Sequence, residues 1–193
     1  MSATDETFPL LGDHVHLEPL RTDHADELLT AADDPEIFRW TGAVVSDRAG
    51  AAAYIDTALG DPARIAYLQR DAHTGVAVGT TSYYQVDTRN RSLAIGYTWL
   101  SRSAQGTRIN PESKYLLLDH AFGPRAAVRV EWHTDANNAQ SRAAIAKLGA
   151  QFEGLLRKHR PRPDGSWRTT ALFSMTDDEW PAAADALRAR LRG

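Results

Sequence analysis

The stretch Leu100-Ser-Arg-Ser-Ala-Gln-Gly-Thr-Arg-Ile-Asn-Pro-Glu-Ser-Lys-Tyr-Leu-Leu-Leu-Asp-His-Ala-Phe122 organises the chain. An apolar strand, Leu93 to Leu100, runs into it, and Gly106 sits in the middle of the loop that follows. Asn110 is a favoured helix cap, because its side-chain oxygen can accept a bond from a free N–H of the first turn. Pro111 suits the first helical position, where its missing N–H costs nothing. Leu117, Leu118, Ala121 and Phe122 then recur at helical spacing. A helix start exposes unpaired N–H groups and partial positive charge. With a glycine loop whose backbone can approach closely, and Arg108 adding a full charge, the pattern describes a phosphate cradle. It also describes an ordinary strand–loop–helix connection, and the rest of the chain must separate the two.

The 193 residues, 42% hydrophobic, suffice for one domain with a real core. A net charge of −3 argues against a general nucleic-acid binder, which shows a basic excess. There is no cysteine, so disulfides, thiolate nucleophiles and Cys-based metal sites are excluded. The N-terminus is polar and acidic, unlike a signal peptide, and no apolar run approaches the ~20 residues that span a bilayer. A cytoplasmic protein acting without membrane or nucleic acid is expected. His14 and His16 share a strand face, but no third ligand is near, so no metal site is expected.

In order, residues 1–9 read as a loose leader, and His14–Leu20 as a strand. Thr22 caps a helix from Asp23 to about Ala32. Ser46 caps another from Asp47 to Leu59. Ile65–Arg70, Val76–Val86 and Ser92–Leu100, joined by tight polar turns, form an antiparallel meander. After the central helix, Ala127–Thr134 is a strand reached by a crossover, hence parallel to the one before. Ala139–Leu148 is a helix stopped by Gly149. Phe152–Arg160 and Trp167–Met175 form a hairpin about the turn at Pro161–Gly165. Thr176-Asp-Asp-Glu179 is a capping box, and Pro181 is expected to interrupt the terminal helix, residues 177–191. One βαβ unit inside an otherwise antiparallel sheet makes a single α/β (α+β) domain over residues 1–193.

At these residues the chain resembles the GCN5-related N-acetyltransferases, in particular the bacterial branch that includes ribosomal-protein N-terminal acetyltransferases. Ile95-Gly-Tyr-Thr-Trp-Leu100 is similar to the family's fourth strand. Ser103-Ala-Gln-Gly-Thr-Arg108 is similar to its pyrophosphate loop, Gln/Arg-x-x-Gly-x-Gly/Ala. Asn138-Ala-Gln-Ser141 with Lys147-Leu-Gly149 resembles its Asn-x-x-Ser helix, and Glu153–Arg157, Asp164-Gly165 and Leu172–Ser174 complete the likeness.

The resemblance implies a mixed, mostly antiparallel sheet splayed between the fourth and fifth strands, with helices on both faces. It implies acetyl-CoA as cosubstrate, a primary amine of a small molecule or peptide N-terminus as acceptor, and direct transfer in a ternary complex. A homodimer is common among relatives. Thr98, Trp99 and Leu100 would pair with the pantetheine arm. Gln105, Gly106, Thr107, Arg108 and Asn110 would hold the pyrophosphate, and Asn138 and Ser141 would line the arm near the thioester. The loop departs from the pattern at Ser103 and at Arg108. The family's frequent acid tyrosine, seven residues after the Asn, is Ile145, and the tyrosine often found on the last strand is Phe173.

Transfer to an amine needs a base for the ammonium and an acid or donor for the leaving thiolate. Ser141 is the first candidate acid; helix-terminal hydrogen bonding is its alternative role. On the strand at Ala127–Thr134, Val128, Val130 and Trp132 alternate with Arg129, Glu131 and His133, so Glu131 and His133 share a face and are candidate bases. His159 is a third. The run Arg157-Lys-His-Arg160 carries no acid where ribosomal relatives place one, which points away from a ribosomal-protein substrate and toward an acceptor bearing a carboxylate. Tyr83, Tyr84, Tyr97 and Trp40 are either core or pocket wall, and Trp167 and Trp180 read as packing. The competing function is a non-catalytic acyl-CoA-binding or sensor protein, supported by the two replaced tyrosines; a phosphate-binding regulatory module is a third.

Overall fold

The computed structural model describes residues 8–42, 44–162 and 164–192. Positions 1–7 of the expected leader, and Pro163 in the expected hairpin turn, lie outside the described residues. Strand β1 (Leu10–Leu11) is a short edge on β2 (Val15–Pro19). The meander consists of β3 (Ile65–Asp71), β4 (Ala77–Asp87) and β5 (Ser92–Leu100). Beyond it come β6 (Arg129–Asp135), β7 (Gln151–Pro161) and β8 (Trp167–Thr176). The sheet runs β1-β2-β3-β4-β5-β6-β8-β7. Every neighbouring pair is antiparallel except β5 and β6, which are parallel as the crossover demands.

Five helices dress the sheet: α1 (Ala25–Ala31), α2 (Arg48–Leu59), α3 (Ile109–Phe122), α4 (Ala139–Ala146) and α5 (Trp180–Arg192). Strand alternation divides their packing into two cores. Leu93, Ile95, Val130, Trp132 and Phe173 face α3, α4 and α5, meeting Leu117, Leu118, Ile145 and Leu187. On the opposite face Leu68 and Trp99 meet Leu28, Phe38 and Ile55 beneath α1 and α2. Burying Leu117 and Leu118 completely contributes about 1.5–3 kcal/mol each. Helices α1 and α2 pack over β3 and β4. Among the described residues the apolar cluster under α1 and α2 takes no buried residue from β6, β7 or β8.

Helix starts differ from the sequence reading in detail. Asp47, not Ser46, caps α2: its carboxylate accepts from the Gly50 N–H at 2.7 Å. Thr22 caps nothing; a 3-10 turn over Thr22–His24 precedes α1, and the Arg21 N–H donates to His24 Nδ1 at 3.2 Å. Pro181 does not interrupt α5, because it falls at the second helical residue, where its N–H would have no partner anyway. Half of the predicted capping box is present, with the Thr176 N–H donating to Glu179 at 2.8 Å. Trp180 packs against Phe122 and Tyr115 as expected. Trp167 does not pack; it is 52% exposed.

One buried carboxylate ties the first strands to the central helix. Glu112, in the first turn of α3, accepts from the backbone N–H groups of Asp13 (3.0 Å), His14 (2.6 Å) and Val15 (2.7 Å). Gly12 makes the approach feasible: a Cβ there would lie 2.4 Å from a Glu112 oxygen. Replacing the carboxylate leaves three strand donors to find other partners. Glu112→Ala is expected to lower stability by about 3 kcal/mol in urea titration; a loss under about 0.5 kcal/mol would mean water replaces the carboxylate freely.

Candidate active site

Strands β5 and β6 pair only through Ser92, Leu93 and Ala94, opposite Arg129, Val130 and Glu131. Past Ala94 they diverge, leaving β5 hydrogen-bonded on its β4 side alone. This is the expected splay. It is sharpened by a bulge in which Tyr97 and Thr98 together lie opposite Thr81. Tyr97 adopts φ = 51°, a left-handed conformation that costs an aromatic residue about 1–3 kcal/mol. The surroundings hold it there. Its carbonyl accepts from Thr80 Oγ1 at 3.1 Å, and the Arg64 guanidinium stacks 3.8 Å from its ring centroid. Arg64 is itself buried and donates to Ser82 Oγ (3.0 Å) and Tyr54 Oη (3.2 Å).

The loop after β5 forms a shallow cradle. Asp33 accepts from the Arg102 N–H, and Asp34 accepts from the Arg102 guanidinium at 2.7 Å, which fixes the loop to the α1–α2 connection. Gln105 donates its side-chain amide to the Leu100 carbonyl at 3.1 Å. Thr107 donates its hydroxyl to the Ala104 carbonyl at 2.7 Å. Gly106 has φ = 76°, and a Cβ built there would meet nothing within 4 Å, so the space above it is open. Arg108 does not fill that space; its side chain is exposed and unbonded among the described residues.

Asn110 is not the cap that the sequence reading assigned. The helix begins two residues earlier, with Arg108 in the cap position, and Asn110 lies within its first turn. Its Oδ1 is buried without a partner among the described residues, and so is the Ser113 hydroxyl one turn on.

Across the splay, β6 presents Glu131 and His133 on the open face while Val130 and Trp132 enter the core, as their alternation predicts. The Tyr84 hydroxyl meets His133 Nδ1 at 2.7 Å, and His133 Nε2 lies 3.3 Å from Glu131. A carboxylate can only accept, so the ring proton on Nε2 faces Glu131 and Nδ1 accepts from Tyr84. Tyr84 reaches His133 from β4 by passing over Gly96, where a Cβ would clash with its ring at 2.7 Å. Burial pushes the Tyr84 phenol well above its usual range. His133, then Arg129, holds the Glu131 carboxyl below the usual carboxylate range.

Arg129 bridges Glu131 (2.7 Å) and Glu153 (2.5 Å), and Ser174 donates to Glu153 at 2.7 Å. These contacts lower the Glu153 pKa to about 2. His159 stands at the rim, its ring 6.0 Å from that of His133 and its Nδ1 3.1 Å from Thr170 Oγ1. Burial, then Arg160, lowers its pKa, so it is neutral near pH 7.

The chain matches the model of the acetyltransferase (GNAT) domain over residues 14–151. It belongs to the GNAT acetyltransferases. A GCN5-related N-acetyltransferase from Brucella melitensis is 29% identical, with 96% of this chain and 86% of that one covered at a TM-score of 0.91. A candidate acetyltransferase from T. thermophilus is 34% identical over 99% of this chain and all (100%) of that one, with a TM-score of 0.89. The microcin C7 self-immunity acetyltransferase MccE, solved with acetyl-CoA and AMP, shares the fold at 20% identity, a TM-score of 0.74, and coverage of 86% and 93%. No curated protein matches the chain in sequence.

Other residues sort clearly in this GNAT domain. Asn138 and Ser141 lie where β6 gives way to α4. Asn138 Oδ1 caps the helix by accepting from the Ser141 N–H at 3.0 Å, while the Ser141 hydroxyl is unbonded among the described residues. Ile145 and Phe173 are core. Tyr83 is fully buried and donates to the Leu117 carbonyl, so it is core as well. Tyr84 is the functional-face residue that the sequence reading left among wall or core candidates. Its partner lies 49 residues away, and only the sheet order brings them together.

Lys114 is a second residue that sequence reasoning missed. It is buried on α3 behind the bulge, donating to Thr81 Oγ1 (3.0 Å) and Thr98 Oγ1 (2.9 Å) with no carboxylate partner among the described residues. Burial lowers its pKa from 10.5 to about 7. Between those values the unfolded chain holds a proton that the folded chain does not, so stability rises with pH by up to about 1.4 kcal/mol per unit. Below pH 7 both states are protonated and the burial cost is fully present. Lys114→Met is therefore expected to be more stable than the wild type near pH 6 and to lose that advantage steadily toward pH 10. Urea titrations at several pH values read this; an offset that does not change with pH would show that the amine does not titrate there.

Proposed function

We propose that this chain is an acetyl-CoA-dependent N-acetyltransferase that moves an acetyl group to a primary amine by direct transfer in a ternary complex. The observation that supports it best is the hydrogen-bonded line Tyr84–His133–Glu131 on the open face beside the splay. A protein that only binds acyl-CoA has no need of a linked phenol, imidazole and carboxylate at that point.

The residues present fit the cosubstrate. An open cradle above Gly106 at the start of a helix and a strand edge left bare by the β5–β6 divergence are what a phosphate-bearing amide chain requires. Gln105, Gly106, Thr107, Arg108 and Asn110 would hold its pyrophosphate, Thr98, Trp99 and Leu100 its amide arm, and Asn138 and Ser141 the end nearest the thioester. When bound, acetyl-CoA supplies an activated acetyl thioester.

The protein's own groups handle the protons. The acceptor ammonium donates to the Tyr84 oxygen, and the Tyr84 proton moves to His133 Nδ1 as the amine is released. The Tyr84 phenol is too weakly acidic to stay ionised, so it acts as a conduit and His133 as the base. Glu131 stabilises the imidazolium that forms, as a carboxylate aligned on the far ring nitrogen does. Glu131 is not the direct base, since Arg129 and His133 already occupy it. Ser141 offers its unbonded hydroxyl to the leaving thiolate. His159 lines the amine's approach.

A thiol-release assay with acetyl-CoA and a panel of amines, run beside calorimetry with CoA, tests this. Amine-dependent release is expected. Tyr84→Phe keeps the ring over Gly96 but breaks the line, and should lower kcat by about 10²-fold with CoA affinity unchanged. Gly106→Val should do the reverse, weakening CoA binding at least about tenfold by placing a branched side chain in the cradle. CoA binding without release on the whole panel would favour the sensor reading instead.

A further inference from the structure

The bulge in β7 brings two arginines face to face. Leu156 pairs with Thr170, and the next registered pair is Arg160 with Arg168, so three residues of β7 stand opposite one of β8. Lys158, at φ = 51°, makes the turn inside this bulge. Like charges directly opposite on neighbouring strands repel. No carboxylate bonds to either: among the described residues neither Arg160 nor Arg168 forms an ion pair, Asp135 favours the Arg168 charge only at a distance, and the nearby acids are engaged elsewhere. Asp135 is held by Arg162, and Glu131 by Arg129 and His133.

Arg168 has one anchor, donating from Nη2 to the His133 carbonyl at 3.0 Å. Its Nε is buried with no hydrogen-bond partner among the described residues. A buried guanidinium N–H left unmade costs about 1–3 kcal/mol unless something accepts it. The charged and titratable neighbours of the pair are Tyr84, His133, His159, Arg162, Asp135 and Glu131. The site is therefore a cationic pair with an unmet donor, set beside the proton line.

We propose that the acetyl acceptor carries a carboxylate, which is held between Arg160 and Arg168 while its amine reaches Tyr84. This rests on the transferase reading above and names the substrate class. Two guanidinium edges converging on two carboxylate oxygens satisfy the orphaned Nε and remove the cross-strand repulsion together. The basic run at Arg157–Arg160 in the sequence gains a specific geometry: Arg160 stands in register opposite Arg168 and is half-buried, whereas Arg157 is exposed within the bulge.

The test uses primary amines of one length ending in carboxylate, carboxamide or phosphonate. Wild-type kcat/KM is expected to favour the carboxylate at least about tenfold over the carboxamide, mainly through KM. Arg160→Gln should collapse that ratio toward one, Arg160→Lys should restore part of it, and Arg157→Gln, with the same charge change, should keep it. A ratio near one in the wild type, a preference for phosphonate, or an equal loss in Arg157→Gln would each overturn the proposal while leaving the transferase reading intact. If no amine is acetylated, calorimetry on the CoA-saturated protein reads the site directly. Binding of the carboxylate amine that Arg160→Gln abolishes upholds the proposal, and no binding overturns it.

Discussion

Past Ala94, strand β5 has a neighbour on one side only, and the rest of the molecule is arranged around that fact. A strand edge inside a folded protein carries backbone donors and acceptors that require partners. Here the neighbouring strand turns away after three registered pairs, and the edge opens beside a cradle whose glycine leaves space above it. A crossover helix between parallel strands places its N-terminus at the end of the first strand, so cradle and edge arise from one topological choice. The family's cosubstrate, a phosphate joined to a chain of amides, matches both together.

Holding that edge open requires rigidity elsewhere. The bulge puts Tyr97 in a strained backbone conformation, and three buried groups close around it: Arg64 under the ring, Thr80 on the carbonyl and Lys114 on the neighbouring Thr98. Two of these are cations without carboxylate partners among the described residues, an expensive way to brace a strand. Apolar packing alone does not fix the direction of a carbonyl; hydrogen bonds from fixed donors do. The bulge also sends Tyr97 to the open face and Thr98 to the α3 face, so one local irregularity serves both sides of the sheet.

What was legible in the sequence follows from locality. Alternation on β6 assigned Glu131 and His133 to one face, because a strand's faces depend only on parity. The glycine loop and crossover helix were readable because their residues are contiguous. The cap at Asn110 was misread for a local reason too: Thr107 bonds its own loop, so the helix starts at Ile109 and Asn110 is drawn inside. Tyr84, Arg64 and Lys114 were not legible, since each acquires its role from a partner on another strand or helix. Arg160 and Arg168 show the same limit, because the β7 bulge sets their register and no turn motif announces it.

The replacement of both usual phenols looks different once the sheet is assembled. Ile145 and Phe173 lie on the helix-covered face, in the core, and complete the packing of α4 against β6 and β8. A hydroxyl at either place would need a hydrogen-bond partner in an apolar setting. Tyr84 stands on the opposite face, with a ring nitrogen already at its hydroxyl and a carboxylate behind it. Its path across β5 exists only because residue 96 is glycine. In the proposed reaction the phenol of this domain is therefore supplied from β4 rather than from a helix or last-strand position. In that reaction its proton passes along the hydrogen bond to His133 on β6. The proposed reaction thus takes its base side from strands and its acid side from the start of α4. The two halves meet only where β5 and β6 part.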